Sequence, residues 1–173
     1  MNRAVSRPHP RQEMVLLCPF QEILYGGSAG CGKSKCIVFG WVQHEIKYGR
    51  HAKGLILRKT NSELADLIRE FQDLFSGFTK QPKWNVTSHT FTHQSGAILE
   101  MGYLDKDDDK YRYHGLYYTF LAWDELTLWP SPDPYNFVKN RVRSTKGVPV
   151  TILSTSNPIG VGAQWVIKHW KIN

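Results

Sequence analysis

Short apolar runs alternate along this chain with stretches of helical period. Residues 22–25 form a brief apolar run that stops at Gly26 and Gly27, as a strand entering a loop does. Residues 33–48 follow, with Cys36, Ile37, Val38, Phe39, Trp41, Val42 and Ile46 on most sides of a predicted helix that lies against a sheet. Residues 54–57 read as a second strand. Thr60 and Glu63 then match a capping box, and Leu64, Leu67, Ile68, Phe71 and Leu74 recur at helical spacing, which predicts an amphipathic helix with one buried stripe. Residues 84–103 have strand character, broken by a hairpin turn at Gln94, Ser95 and Gly96. Residues 118–123 and 148–153 are two further apolar strands, and 105–110 a charged loop. Strands alternating with helices predict an α/β fold with a largely parallel sheet. Three of the strands run into polar or glycine-rich segments, and in parallel sheets ligands bind at the carboxyl edge.

The first of those segments carries the strongest chemistry. Gly27, Ser28, Ala29, Gly30, Cys31, Gly32, Lys33 and Ser34 fit G-x-x-x-x-G-K-[ST] at every required position. Glycines let the backbone curl so that successive amides point inward as an anion nest, and the helix starting near Lys33 adds free amides and the positive end of its dipole. In such a loop the lysine reaches the β- and γ-phosphates of ATP, and the serine hydroxyl is a Mg2+ ligand. The strand at 118–123 ends in Asp124 and Glu125. ATP hydrolysis needs one carboxylate to hold magnesium, the role read for Asp124, and a second to act as general base, the role read for Glu125. The strand at 148–153 ends in Ser154, Thr155, Ser156, Asn157 and Pro158, neutral polar groups able to sense a γ-phosphate.

These three motifs, in this order, resemble the ATPase domain of phage terminase large subunits. Leu57-Arg58-Lys59-Thr60, Lys110-Tyr111-Arg112 with Gly115, and Asn157-Pro158 followed by Gly160 and Trp165 add to the likeness, which spans nearly the whole chain. The resemblance implies a three-layer P-loop NTPase of the additional-strand, catalytic-glutamate class. In that class the strand ending at Leu153 lies between the phosphate-loop strand and the Asp124 strand. It also implies that Ser154, Thr155, Ser156 and Asn157 couple hydrolysis to movement and that Gln12 contacts adenine. The motors of this family work as rings, some with an arginine supplied by a neighbouring subunit. Arg112 is the best-matching position here and Arg58 the next. The implied partners are double-stranded DNA, the portal protein, the small terminase subunit and further copies of the chain. The implied location is the cytoplasm of the infected or lysogenic bacterial host, transiently at the procapsid portal.

The remaining features adjust this picture. The 173 residues make one ATPase domain with an N-terminal arm over residues 1–21 carrying the adenine contact. The family's nuclease domain is not expected in this chain, because no acid follows Asp133 and Asp105, Asp107, Asp108 and Asp109 read as solvated charge. The net charge is +7, and from residue 134 onward Lys139, Arg141, Arg143, Lys146, Lys168 and Lys171 face no acidic residue in the sequence, which suits a polyanionic partner. Cys18, Cys31 and Cys36 have no metal-binding spacing, and no apolar run is long enough for a membrane span. Two other readings share the same residues: a helicase-like motor, or a nucleotide-binding module that needs a partner domain for turnover.

Overall fold

The computed structural model describes residues 7–28, 30–144 and 146–172. A single seven-stranded sheet holds β1 (Glu22–Gly26), β2 (Lys53–Arg58), β3 (Lys83–Asn85), β4 (Thr90–Thr92), β5 (Ile98–Tyr103), β6 (Phe120–Trp123) and β7 (Thr151–Ser156), in the order β1-β7-β6-β2-β5-β4-β3. The strands from β1 to β5 in that order pair in parallel, and β3 and β4 close the far edge antiparallel. Strand β7 therefore separates β1 from β6, the arrangement implied by the family resemblance.

The two-residue period of the strands sorts their side chains into two cores. Ile56, Phe120, Ala122 and Leu153 pack against one face, where helix α2 (Lys33–Tyr48) contributes Cys36, Ile37 and Trp41 and helix α3 (Asn61–Phe75) contributes Leu64, Leu67 and Phe71. Leu55, Leu57, Leu121, Trp123 and Ile152 fill the other face, under Tyr135 and Val138 of helix α4 (Asp133–Lys139) and Val166 of helix α5 (Ala163–Trp170). Helix–sheet–helix layering follows. Gly54 makes one close approach possible: a Cβ there would lie 2.5 Å from the Trp41 ring, so only glycine lets that indole settle on β2.

Several sequence expectations hold in detail. Thr60 caps α3, with Glu63 returning a carboxylate to the Thr60 amide at 3.1 Å. The turn at Gln94–Gly96 joins β4 to β5, closed by the Gly96 amide on the His93 carbonyl at 2.9 Å. Others are corrected. Residues 84–103 contain two strands and part of a third. The N-terminal arm contains a helix, α1 (Pro10–Leu16), which the prolines hid: Pro10 sits at the helix start, where its missing N–H costs nothing. The charged loop over 105–110 is largely a 3-10 helix, Asp107–Tyr113, in which Asp109 accepts the Asp105 and Lys106 amides. Strand β7 continues to Ser156 instead of ending at Leu153, because pairing with Trp123 and Gly26 on its two sides carries Ser154, Thr155 and Ser156 into the sheet.

His44 in α2 is buried, its Nε2 3.0 Å from the Thr119 hydroxyl. Burial, with the Lys47 charge nearby, pushes its pKa from 6.5 down to about 4. The unfolded chain therefore takes up this proton first as pH falls. Stability present above pH 6.5 is lost progressively down to pH 4, to a total of about 3 kcal/mol. Denaturant titrations across that window show the slope in the native protein, and His44→Gln reduces it, leaving the part due to His93, which burial also shifts down. An unchanged slope in the variant refutes the assignment.

Candidate functional site

Four strand ends meet at the carboxyl edge. Gly26 pairs with Ser156, Ser154 with Trp123, and Trp123 with Leu57, so the next residues along each strand (Gly27, Asp124 and Arg58) are brought together around Thr155. The segment from Gly27 curls with Gly30 and Gly32 at φ +80° and +74°, in the left-handed region that glycine occupies without strain, and Gly32 caps α2. A Cβ at Gly27 would lie 2.9 Å from the Cys31 sulfur. Ala29 lies outside the described residues.

The Lys33 ammonium, buried at the root of this loop, donates to the carbonyls of Gly27 at 3.0 Å and Ser28 at 2.7 Å and lies 3.6 Å from Cys31 Sγ. One residue on, the Ser34 hydroxyl donates to Asp124 Oδ2 at 3.0 Å. The phosphate loop and the acidic strand end thus touch. Asp124 is wholly buried and saturated: Thr155 Oγ1 donates to its Oδ1 at 2.5 Å, and Arg58 donates to its Oδ2 from Nε at 2.9 Å and from a terminal nitrogen at 2.6 Å. Burial works against the Arg58 charge, but the Asp124 carboxylate beside it prevails and raises the guanidinium pKa.

Glu125 adopts φ 59°, ψ 51°, a left-handed conformation that costs a non-glycine residue about 1 kcal/mol. This kink turns the chain off β6 into the 3-10 turn Leu126–Leu128. The Glu125 amide is fixed by Thr155 Oγ1 at 3.1 Å, while its carboxylate is 29% exposed, 3.9 Å from Arg58. Thr155 therefore holds both acids, one by donating and one by accepting. Ser156 Oγ donates to the Asn157 carbonyl at 2.7 Å, and Thr127 Oγ1 reaches the carbonyls of Asn157 and Ile159 at 3.3 Å, stitching the turn after Glu125 to the loop after β7. Ser154 is buried within β7.

Gln12 is buried against the phosphate loop. Its side-chain amide donates to the Gly32 carbonyl at 2.7 Å, and its oxygen accepts the His9 amide at 2.9 Å. His9 and Tyr25, which nothing in the sequence marked out, brace the same loop through the Cys31 carbonyl at 3.2 and 3.4 Å. Arg112 stands apart from these groups, paired with Asp109 at 2.7 Å and stacked over the Tyr103 ring. Arg58 is the arginine that the fold brings to the acidic pair. What the arrangement offers chemically is an amide-rich loop and an ammonium for phosphate oxygens, two hard oxygen donors (Ser34 and Asp124) of the kind Mg2+ takes, and one accessible carboxylate beside them.

No protein-family model and no curated protein matches the sequence. Solved structures do match. The large terminase of a thermophilic bacteriophage superposes with a TM-score of 0.71 at 16% identity over 95% of this chain. The HK97 bacteriophage large terminase gives 0.70 at 11% identity over 96%. The N-terminal domain of the bacteriophage phi29 DNA packaging ATPase gives 0.65 at 18% over 96% of this chain and 87% of its own length. The chain has the fold of phage terminase ATPase domains. It spans 43% of the thermophilic phage's terminase chain and 37% of the HK97 chain. Further structures of that thermophilic phage's terminase are complexes with ADP and with ATP-γ-S. Among the described residues no helix is long and apolar enough to cross a membrane.

Proposed function

We propose that this domain binds ATP with Mg2+ and hydrolyses it to drive double-stranded DNA into a viral procapsid, as the motor part of a terminase large subunit. The observation that carries the reading is the 3.0 Å contact between the Ser34 hydroxyl and the Asp124 carboxylate, with Lys33 adjacent and Glu125 following. It joins in space the two sequence segments that magnesium-dependent hydrolysis requires.

In this reading Lys33 exchanges the Gly27 and Ser28 carbonyls for β- and γ-phosphate oxygens, and the loop amides bind the remaining phosphate charge. Ser34 and Asp124 would hold the metal, which would supply positive charge to the phosphates. Glu125, the accessible acid, orients and deprotonates the attacking water. Arg58 lies between the two acids, bonded to Asp124 and 3.9 Å from the Glu125 carboxylate. Thr155 transmits displacement of either acid to β7 and, through Ser156, Asn157 and Thr127, to the loop beyond, which is the coupling role assigned to Ser154–Asn157. Gln12 and His9, at the start of α1, brace the loop, and Gln12 contacts adenine. Arg112, exposed and outside the site, serves a neighbouring copy in a ring by giving up its surface pair with Asp109. The portal and the small terminase subunit, met in the host cytoplasm, complete the proposed assembly.

Mg2+-dependent phosphate release by wild type, absent in Lys33→Ala, tests the core of this proposal. ATP shields Cys31, whose sulfur lies beside the Lys33 ammonium, from a thiol-alkylating reagent read out by mass spectrometry. Duplex DNA stimulates turnover at low salt, and the stimulation fades as salt rises. Unchanged Cys31 labelling at saturating ATP sinks the nucleotide reading; turnover indifferent to DNA at every salt concentration sinks the motor reading alone.

A further inference from the structure

The amino ends of β1, β6 and β7, at the edge of the sheet away from Lys33 and Asp124, open into a groove of about 560 Å³. Its apolar floor is made by the half-buried Leu16, Ile23 and Val142 with Phe20, over the buried side chains of Phe120 and Leu153. Phe20 is 72% exposed although it lines the groove. The exposed Lys47, from the end of α2, and Arg143 form its rim, and among the described residues no carboxylate lines it. The cationic rim continues outward: the Arg143 guanidinium stacks on the Tyr117 ring, and Lys53 Nζ sits 4.8 Å from the centre of that same ring. Among the described residues, none of these three cations has a carboxylate within ion-pairing distance.

We propose that this groove docks an acidic amphipathic segment of a partner protein, its apolar side chains on the floor and its carboxylates on Lys47 and Arg143. Volume and chemistry select that occupant. A pocket of this size takes a few side chains, in the manner of a helix laid in a groove. A nucleic acid backbone would satisfy the cations but leave Phe20 and the accessible parts of Leu16, Ile23 and Val142 in water. A purely apolar segment would cover the floor and leave two cations at its border without counter-charge. The site lies away from the phosphate loop, so it stands independently of the nucleotide reading.

Cys18 lines the groove and is half-buried, which supplies a reporter needing no substitution. The probe is a labelled synthetic helix with leucine on one face and glutamate on the other. Its comparators are the same peptide with lysine for glutamate, polyglutamate, and a short DNA duplex. The expected result is saturable binding of the leucine–glutamate peptide alone, with Cys18 shielded from alkylation while Cys31 stays reactive. Lys47→Glu with Arg143→Glu, and separately Phe20→Ala, each weaken the peptide about tenfold. The proposal is overturned by failure of that peptide to bind. It is equally overturned by equal binding of the lysine version or by competition from polyglutamate or DNA at equal strength. Because ATP protection of Cys31 is read in the same digests, loss of the nucleotide reading and loss of this one are separate outcomes.

Discussion

Glu125→Gln is expected to lower ATP turnover by about a thousandfold while leaving ATP affinity close to wild type. The side chain is partly exposed and makes only a 3.9 Å contact with Arg58, so the amide fits the same space and the fold is undisturbed. The left-handed backbone at this position is set by the turn and by the Thr155 bond to its amide, neither of which the substitution touches. What it removes is the proton acceptor. Single-turnover hydrolysis and equilibrium nucleotide binding separate the two quantities. Turnover near the wild-type rate would show that another group activates water, and the assignment of the base would fall. Weakened binding with intact turnover would place Glu125 in recognition instead.

Arg58→Ala has the second large effect, and it is on stability. Asp124 has no exposed surface, and Arg58 is the one cation on it among the described residues. Taking the cation away strands a buried carboxylate, which costs about 3 kcal/mol even though two hydroxyls remain on its oxygens. Chemical denaturation in EDTA measures that loss. Saturating Mg2+ with ATP recovers part of it, since a metal ion at Ser34 and Asp124 supplies the missing positive charge. A loss of the same size in EDTA and in Mg2+–ATP would mean that Arg58 only packs. No measurable loss would mean that the ion pair does not hold the site together. Arg112→Ala, by contrast, removes only an exposed pair with Asp109 and leaves stability nearly unchanged.

The two predictions differ in how far the sequence alone leads to them. The role proposed for Glu125 rests on a local pattern, two adjacent acids at the end of an apolar strand. The pairing of Arg58 with Asp124 joins residues 66 positions apart. It depends on the register of β2 against β6, where Leu57 lies opposite Trp123, and nothing near Arg58 encodes that register. The same distinction explains Gln12. Seven residues of helix beginning at Pro10 carry little periodic signal, so α1 and its hydrogen bond to Gly32 emerge only when the helix packs beside α2. Ser154–Ser156 read by composition as a polar segment beyond the strand, yet each is buried in β7, Ser154 paired on both sides and Thr155 and Ser156 held by β1.

The sequence by itself determined the glycine-rich loop, the helix behind it, the acidic strand end and the alternating α/β pattern, and with the family likeness the place of β7 between β1 and β6. These follow from short-range rules of glycine conformation, capping and apolar period. The tertiary structure alone decided which arginine meets the buried acid, how Thr155 ties both carboxylates to β7, and where a cation-rimmed apolar groove opens. Each of those is a contact between segments distant along the chain, set by strand register and layer packing, and local propensity carries no information about either.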